Sequence, residues 1–250
     1  MSQSKTYLIT GASSGLGLAV AQRILLHNER VFLVARTADA LEALQEAYPQ
    51  LVRYRTGDLT DPAFIEKLVA DLPHSLAGAF INAGGPPAGR LQELSMEDWD
   101  AAYRLLIRWK VQLTQKLLPL FKHNHYGRLL FSESTSVTRP VENLGLSNAL
   151  RMAMVGYVKT LVQENANTGI TFNILAPGYH ETKRLDGLFD KLSEQRQISR
   201  GAAKQSIVEK IPTGTMGQPQ DFAALAAWIL SEEAGFLNGQ VVNLDGGTSV

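Results

Sequence analysis

A chain of 250 residues with 45% hydrophobic side chains is large enough to bury a full core, and α/β domains of this size commonly stay single, so 1–250 is expected to form one domain. Twenty-four basic residues balance 24 acidic ones, which removes any global field toward nucleic acid or an anionic membrane and leaves a small-molecule substrate as the expected partner. Cysteine is absent, excluding disulfides, zinc-thiolate sites and thiol nucleophiles; MSQSKTYLIT carries no basic stretch with a long apolar run behind it, and no later run is long enough to span a membrane, so a cytoplasmic location is expected.

In chain order, β-rich runs TYLIT, RVFLVA, VRYRT, AGAFIN, GRLLFS, ITFNILA and QVVNLD alternate with segments whose apolar residues recur at helical spacing. The helical segments are 15–27, 38–48, 62–71, 96–123, 146–167 and 218–231. Mostly apolar strands suit burial on both faces, so the rhythm predicts a single-domain Rossmann-type α/β fold: a doubly wound parallel sheet of about seven strands with helices on both faces. Residues 185–211 are polar and broken by Gly187 and Gly201, with Pro212 just beyond, and are expected to form a substrate lid or a helical insertion.

TGASSGLG lies between the first strand and the first helix. Gly11, Gly15 and Gly17 permit a tight turn and close backbone approach, and the helix start offers free N–H groups to a pyrophosphate. Such turns also occur merely to close a βα corner. The second strand ends at Ala35 and Arg36, where an acid would suit the ribose 2′-hydroxyl of NAD; an arginine suits a 2′-phosphate instead. NADP is therefore the expected cofactor, with NAD disfavoured, and an ordinary surface arginine is the plainer alternative.

GDLTD follows the third strand and NAGGPP the fourth. With TGASSGLG, GRLLFSES, NILAPG and GQVVNLDGG in this order and spacing, the chain resembles the short-chain dehydrogenase/reductase family over essentially its whole length. That resemblance implies that Gly11, Ser13, Ser14, Leu16 and Gly17 line the phosphates and that Asp58 contacts the adenine. It further implies that Asn82, Ala83 and Gly84 flank the adenosine ribose and nicotinamide side, and that Pro177, Gly178 and Thr182 border the nicotinamide. It also implies a homodimer or homotetramer; the apolar runs LAAWIL and GQVVNL are compatible with such contacts.

The family's usual asparagine, serine, tyrosine and lysine are mostly replaced. Ser134 stands in the serine position; Leu106, Ser147 and Arg151 stand where asparagine, tyrosine and lysine are expected. The register holds without a gap between Ser134 and Arg151, and MAMVGYVKTLVQE continues it. The pairing of NAGGPP with NLGLSNALR resembles a divergent group of ketoacyl reductase-like proteins that lack YxxxK.

A serine hydroxyl is less acidic and shorter than a phenol, whereas Arg151, one helical turn on, could bind a ribose or a substrate carboxylate. Tyr179 or His180, after NILAPG, could supply a proton, although a solvated loop is the plainer reading of His180. The YHETK match at 179–183 sits in a loop and is read as chance. Three functions remain open: an NADP-dependent oxidoreductase on an unknown carbonyl or alcohol with a rebuilt site, a nucleotide-binding partner or sensor without turnover, and a non-redox enzyme using the same cleft. Arg104, Arg108 and Lys110 read as a solvated or subunit-facing basic helix face, and Met152 and Met154 as core.

Overall fold

The computed structural model describes residues 4–250, so the first three residues of the opening segment lie outside the described part. Seven strands form one parallel sheet: β1 (Thr6–Thr10), β2 (Arg30–Ala35), β3 (Val52–Thr56), β4 (Leu76–Asn82), β5 (Gly127–Ser132), β6 (Ile170–Pro177) and β7 (Val241–Leu244), in the order β3-β2-β1-β4-β5-β6-β7. Two-residue alternation splits the strands between the sheet's faces. Tyr7, Ile9, Val31 and Leu33 pack with α1 (Gly15–Leu26), α2 (Asp39–Ala47) and α9 (Pro219–Leu230). Leu8, Phe32 and Val34 pack on the other side with α3 (Pro62–Asp71), α5 (Trp109–His123) and α6 (Gly145–Glu164). Both faces are thereby covered, as a sheet with only parallel pairings requires.

The chain order reverses between β1 and β4, which opens a crevice at the carboxyl ends of those strands. Thr10 fixes its floor: its Oγ1 accepts from the Asn82 backbone N–H at 2.7 Å and lies 3.0 Å from the Asn82 carbonyl, tying the two strand ends together.

The segment expected as one helix over 96–123 is divided. α4 (Met96–Tyr103) begins in a Ser95/Asp98 capping box, and Arg104–Arg108 forms a π-helical turn before α5. The wider turn leaves Leu106, Trp109 and Lys110 all buried, and the Trp109 indole N–H donates to the Leu105 carbonyl at 2.6 Å.

Residues 185–211 contain two helices rather than an irregular loop. α7 (Lys183–Arg196) and α8 (Arg200–Val208) pair, and Phe189, Ile207, Ile211 and Met216 make a small core of their own. Their polar faces are joined by Arg200 to Asp186 at 2.6 Å and to Asp190 at 2.9 Å.

Candidate active site

The phosphate loop is shaped by contacts that tolerate no side chain. Gly11 adopts φ +64°, and a Cβ there would lie 2.8 Å from Asn82 Nδ2; a Cβ on Gly17 would lie 2.1 Å from the Gly11 carbonyl oxygen. α1 therefore starts directly against the β1 end. Its N-cap, Ser14, makes no side-chain cap bond, which leaves the first-turn N–H groups available to an anion. Thr182 packs across the crevice, its Cγ2 standing 3.5 Å from the Cβ position of Gly15. Arg36, just past β2, is exposed, and Asp58 binds Thr60 through both the backbone N–H and the hydroxyl at 2.8 Å.

At the β5 end a charged cluster is sealed inside the protein. Glu133 Oε1 meets Lys110 Nζ at 2.5 Å and Glu133 Oε2 meets Arg151 Nη1 at 3.0 Å, with the Lys110 and Glu133 side chains wholly shielded. Burial pulls the Lys110 pKa below its ordinary value, against the opposing Glu133 carboxylate and with a smaller contribution from the Arg151 charge.

Arg151 is engaged through all three of its side-chain nitrogens. Besides Glu133, Nη1 donates to the Glu133 carbonyl at 3.1 Å, Nη2 to the Gly84 carbonyl at 3.0 Å, and Nε to Ser147 Oγ at 3.1 Å. The guanidinium thus joins α6, the β5 end and the glycine loop after β4. It is a pillar of the site and not the free cation that its place in SNALR suggested. Ser147 is buried in consequence. Ser134, half-buried, opens a 3-10 turn, and its Oγ accepts from the Ser136 N–H at 3.2 Å.

Comparison with known proteins now becomes decisive. The family model described as enoyl-(acyl carrier protein) reductase matches residues 11–249. The chain belongs to this family of short-chain dehydrogenase/reductases. Nodulation protein G of Rhizobium sp. (strain N33) is 30% identical over 248 residues, covering 97% of this chain and 96% of that protein. The 3-oxoacyl-(acyl-carrier-protein) reductase FabG of Escherichia coli (strain K12) is 26% identical, covering 98% and 97%. Among solved structures, an actinorhodin polyketide ketoreductase variant with NADPH superimposes with a TM-score of 0.92 at 28% identity, covering 100% of this chain and 98% of that one.

Tyr179 packs against the small core of α7 and α8, and burial raises its phenol pKa, which makes it a weaker acid. His180 is not a solvated loop residue: only 4% of it is exposed, its ring meets Phe222 edge-on at 5.7 Å, and burial lowers its pKa so that the neutral form is kept. Lys110 leaves the basic face proposed for the long helix, while Arg104 and Arg108 stay exposed; Met154 is core but Met152 is exposed. Leu106, at the asparagine position, is wholly buried.

Two members of the charged cluster, Lys110 and Glu133, escape a motif search: Lys110 is part of no pattern, and in GRLLFSES the residue that draws attention is Ser134 rather than Glu133. A signal for Lys110 exists all the same: it shares the stripe Leu106, Leu113 and Leu117, at i−4, i+3 and i+7, that faces the core. Glu133 directly follows an all-buried strand, which is weaker guidance.

Proposed function

We propose that this chain is an NADPH-dependent reductase of small carbonyl compounds in which Ser134 and Ser147 take over the work of the missing tyrosine. The cofactor reading is supported by the fit of the cradle: Gly11 and Gly17 leave room only for backbone, the first turn of α1 is uncapped, and the exposed Arg36 suits a 2′-phosphate. Gly11, Ser13, Ser14, Leu16 and Gly17 would hold the pyrophosphate and Arg36 the 2′-phosphate. Asp58 would take the adenine, Asn82, Ala83 and Gly84 the riboses, and Pro177, Gly178 and Thr182 the nicotinamide. NADPH supplies a hydride to a carbonyl carbon. Solved relatives described with NADPH, including the ketoreductase above and L-sorbose reductase from Gluconobacter frateurii, 25% identical, agree with that choice.

The observation that carries the catalytic reading is a shared hydrogen-bond pattern. Each serine oxygen accepts an N–H, Ser134 from Ser136 and Ser147 from Arg151, while neither hydroxyl donates to another protein group among the described residues. Both O–H groups are therefore left to point at a substrate oxygen. An N–H bond to each oxygen makes its proton more acidic, and Arg151 does so with a full positive charge. Two such donors would stabilise the alkoxide that develops during reduction. Ser147 would deliver the proton, and Arg151 positions Ser147. Helices α7 and α8 would form the substrate lid.

Exposed Trp228 and Phe236 beside β7, and exposed Tyr103 and Met152 near the α4–α6 face, support a homodimer or homotetramer. Fluorescence titration with NADPH tests the cofactor, and a carbonyl panel followed at the reduced-nicotinamide absorbance tests turnover. Tight binding with no turnover across the panel would convert the protein to a cofactor-binding partner or sensor, and absence of binding at millimolar NADPH would sink the reading altogether.

A further inference from the structure

Arg184 is a cation at this cleft with no counterion among the described residues. The acids nearest the start of α7 are already engaged: Glu181 by Lys204 at 2.7 Å, and Asp186 and Asp190 by Arg200. Arg184, in the first turn of α7, has no hydrogen bond or ion pair among the described residues and is exposed. Its guanidinium nevertheless has a defined place. A Cβ on Gly85 would lie 1.9 Å from Arg184 Nη2, so the fork lies directly on the glycine loop after β4, reaching across from the lid to the opposite wall of the crevice. The neighbouring Gly84 carbonyl holds Arg151, and local burial, with the Arg151 charge second, lowers the Arg184 pKa.

The charges around Gly84 and Gly85 can be counted. Lys110, Arg151 and Arg184 contribute three positive charges, and Glu133 is the one acid paired with any of them, so the pocket carries an excess of two. Two of the cations are buried and paired with Glu133. Arg184 alone can turn its donors toward a ligand, on a helix that packs over the site, and a planar fork of that kind matches a carboxylate or a phosphate.

We propose that Arg184 anchors an anionic oxyacid group on the substrate, so that the carbonyl compounds taken by this site carry a carboxylate or a phosphate within reach of the lid. The proposal rests on the reductase reading above for the word substrate, but its test does not need turnover. The full-length protein saturated with NADP+ is titrated calorimetrically with levulinate, with methyl levulinate and with inorganic phosphate, and the titrations are repeated on Arg184→Ala and Arg184→Lys. Levulinate and phosphate separate the two anion types. Levulinate or phosphate is expected to bind, with the ester weaker than the acid; Arg184→Ala should weaken the anion at least about tenfold and leave the ester unchanged, and Arg184→Lys should recover part of the loss.

Equal binding of acid and ester, or no anion binding at millimolar probe, would overturn the proposal. So would a loss that falls on NADPH affinity alone, because that result places the cofactor pyrophosphate, not a substrate, on Arg184. If NADP+ itself fails to bind, the reductase reading falls separately, and phosphate titration of the cofactor-free protein still decides whether Arg184 is an anion site.

Discussion

Lys110 and Glu133 meet at 2.5 Å with neither side chain reaching solvent, and Glu133 simultaneously holds Arg151 at 3.0 Å. One anion thus answers two buried cations, and the two cations are not equivalent. Glu133→Gln leaves both without a counterion and is expected to cost about 3–5 kcal/mol of stability, the penalty for stranding a buried charge. Lys110→Met leaves a matched Glu133–Arg151 pair in similar volume, and its cost should stay within about 1 kcal/mol or become a gain. Urea unfolding of the two variants checks the order. Equal losses would mean that Lys110 is as necessary to Glu133 as Arg151 is.

The same lysine should leave a signature in the pH dependence of stability. Its folded pKa is lowered from 10.5, chiefly by burial. Between that lowered value and 10.5 the unfolded chain binds more protons than the folded one, so the Lys110 contribution rises with pH across this window. At lower pH the amine is protonated in both states and its penalty is fully felt. Stability measured from neutral to alkaline pH should therefore shift in favour of the wild type relative to Lys110→Met as pH rises, and a difference that stays constant with pH would refute the shift.

Arg36 is exposed just past the β2 end and makes no side-chain hydrogen bond or ion pair among the described residues, so its replacement isolates cofactor choice from folding. Arg36→Asp should weaken NADPH at least about tenfold, by loss of a charge-assisted contact and gain of repulsion, and should improve NADH relative to NADPH. Thermal stability should move by no more than about 0.5 kcal/mol. Titrations with both cofactors on the same preparation settle it; an equal loss of the two would remove Arg36 from the 2′-phosphate.

Much of this architecture was legible in the sequence. The α3 bounds and four of the strand runs needed no adjustment and the other three strand runs shift by one residue at an end or at both, because apolar runs punctuated by Gly, Pro and Asp leave few alternatives. The phosphate loop was legible for a different reason: Gly11 and Gly17 meet other backbone so closely that the pattern and the geometry are one statement. What escaped was direction. SNALR fixes a hydroxyl and a cation one turn apart, but whether Arg151 faces the cleft or the core depends on Glu133, eighteen residues earlier and on a different element. Lys110 was misplaced on solvent because a lysine normally goes there, and its partner lies 23 residues away. For 185–211 a helical insertion was one of two readings, and the pairing of its two helices was not legible because their apolar contacts are mostly with each other.

Ser134 and Ser147 supply the sharpest test of the proposed chemistry. Ser147→Ala removes one bond from Arg151 but leaves its contacts to Glu133 and Gly84, so the pillar should stand and NADPH affinity should change less than about threefold. If both hydroxyls stabilise the developing alkoxide, each alanine variant should lower kcat about 10²-fold with little change in KM, since the interaction strengthens only in the transition state. The double variant should lose less than the product of the single losses, because two donors to one oxygen act as a unit. Single-turnover measurements of NADPH oxidation separate this loss from slow product release. Full retention of kcat in Ser147→Ala would remove its hydroxyl from the reaction and leave Ser134 to act with water.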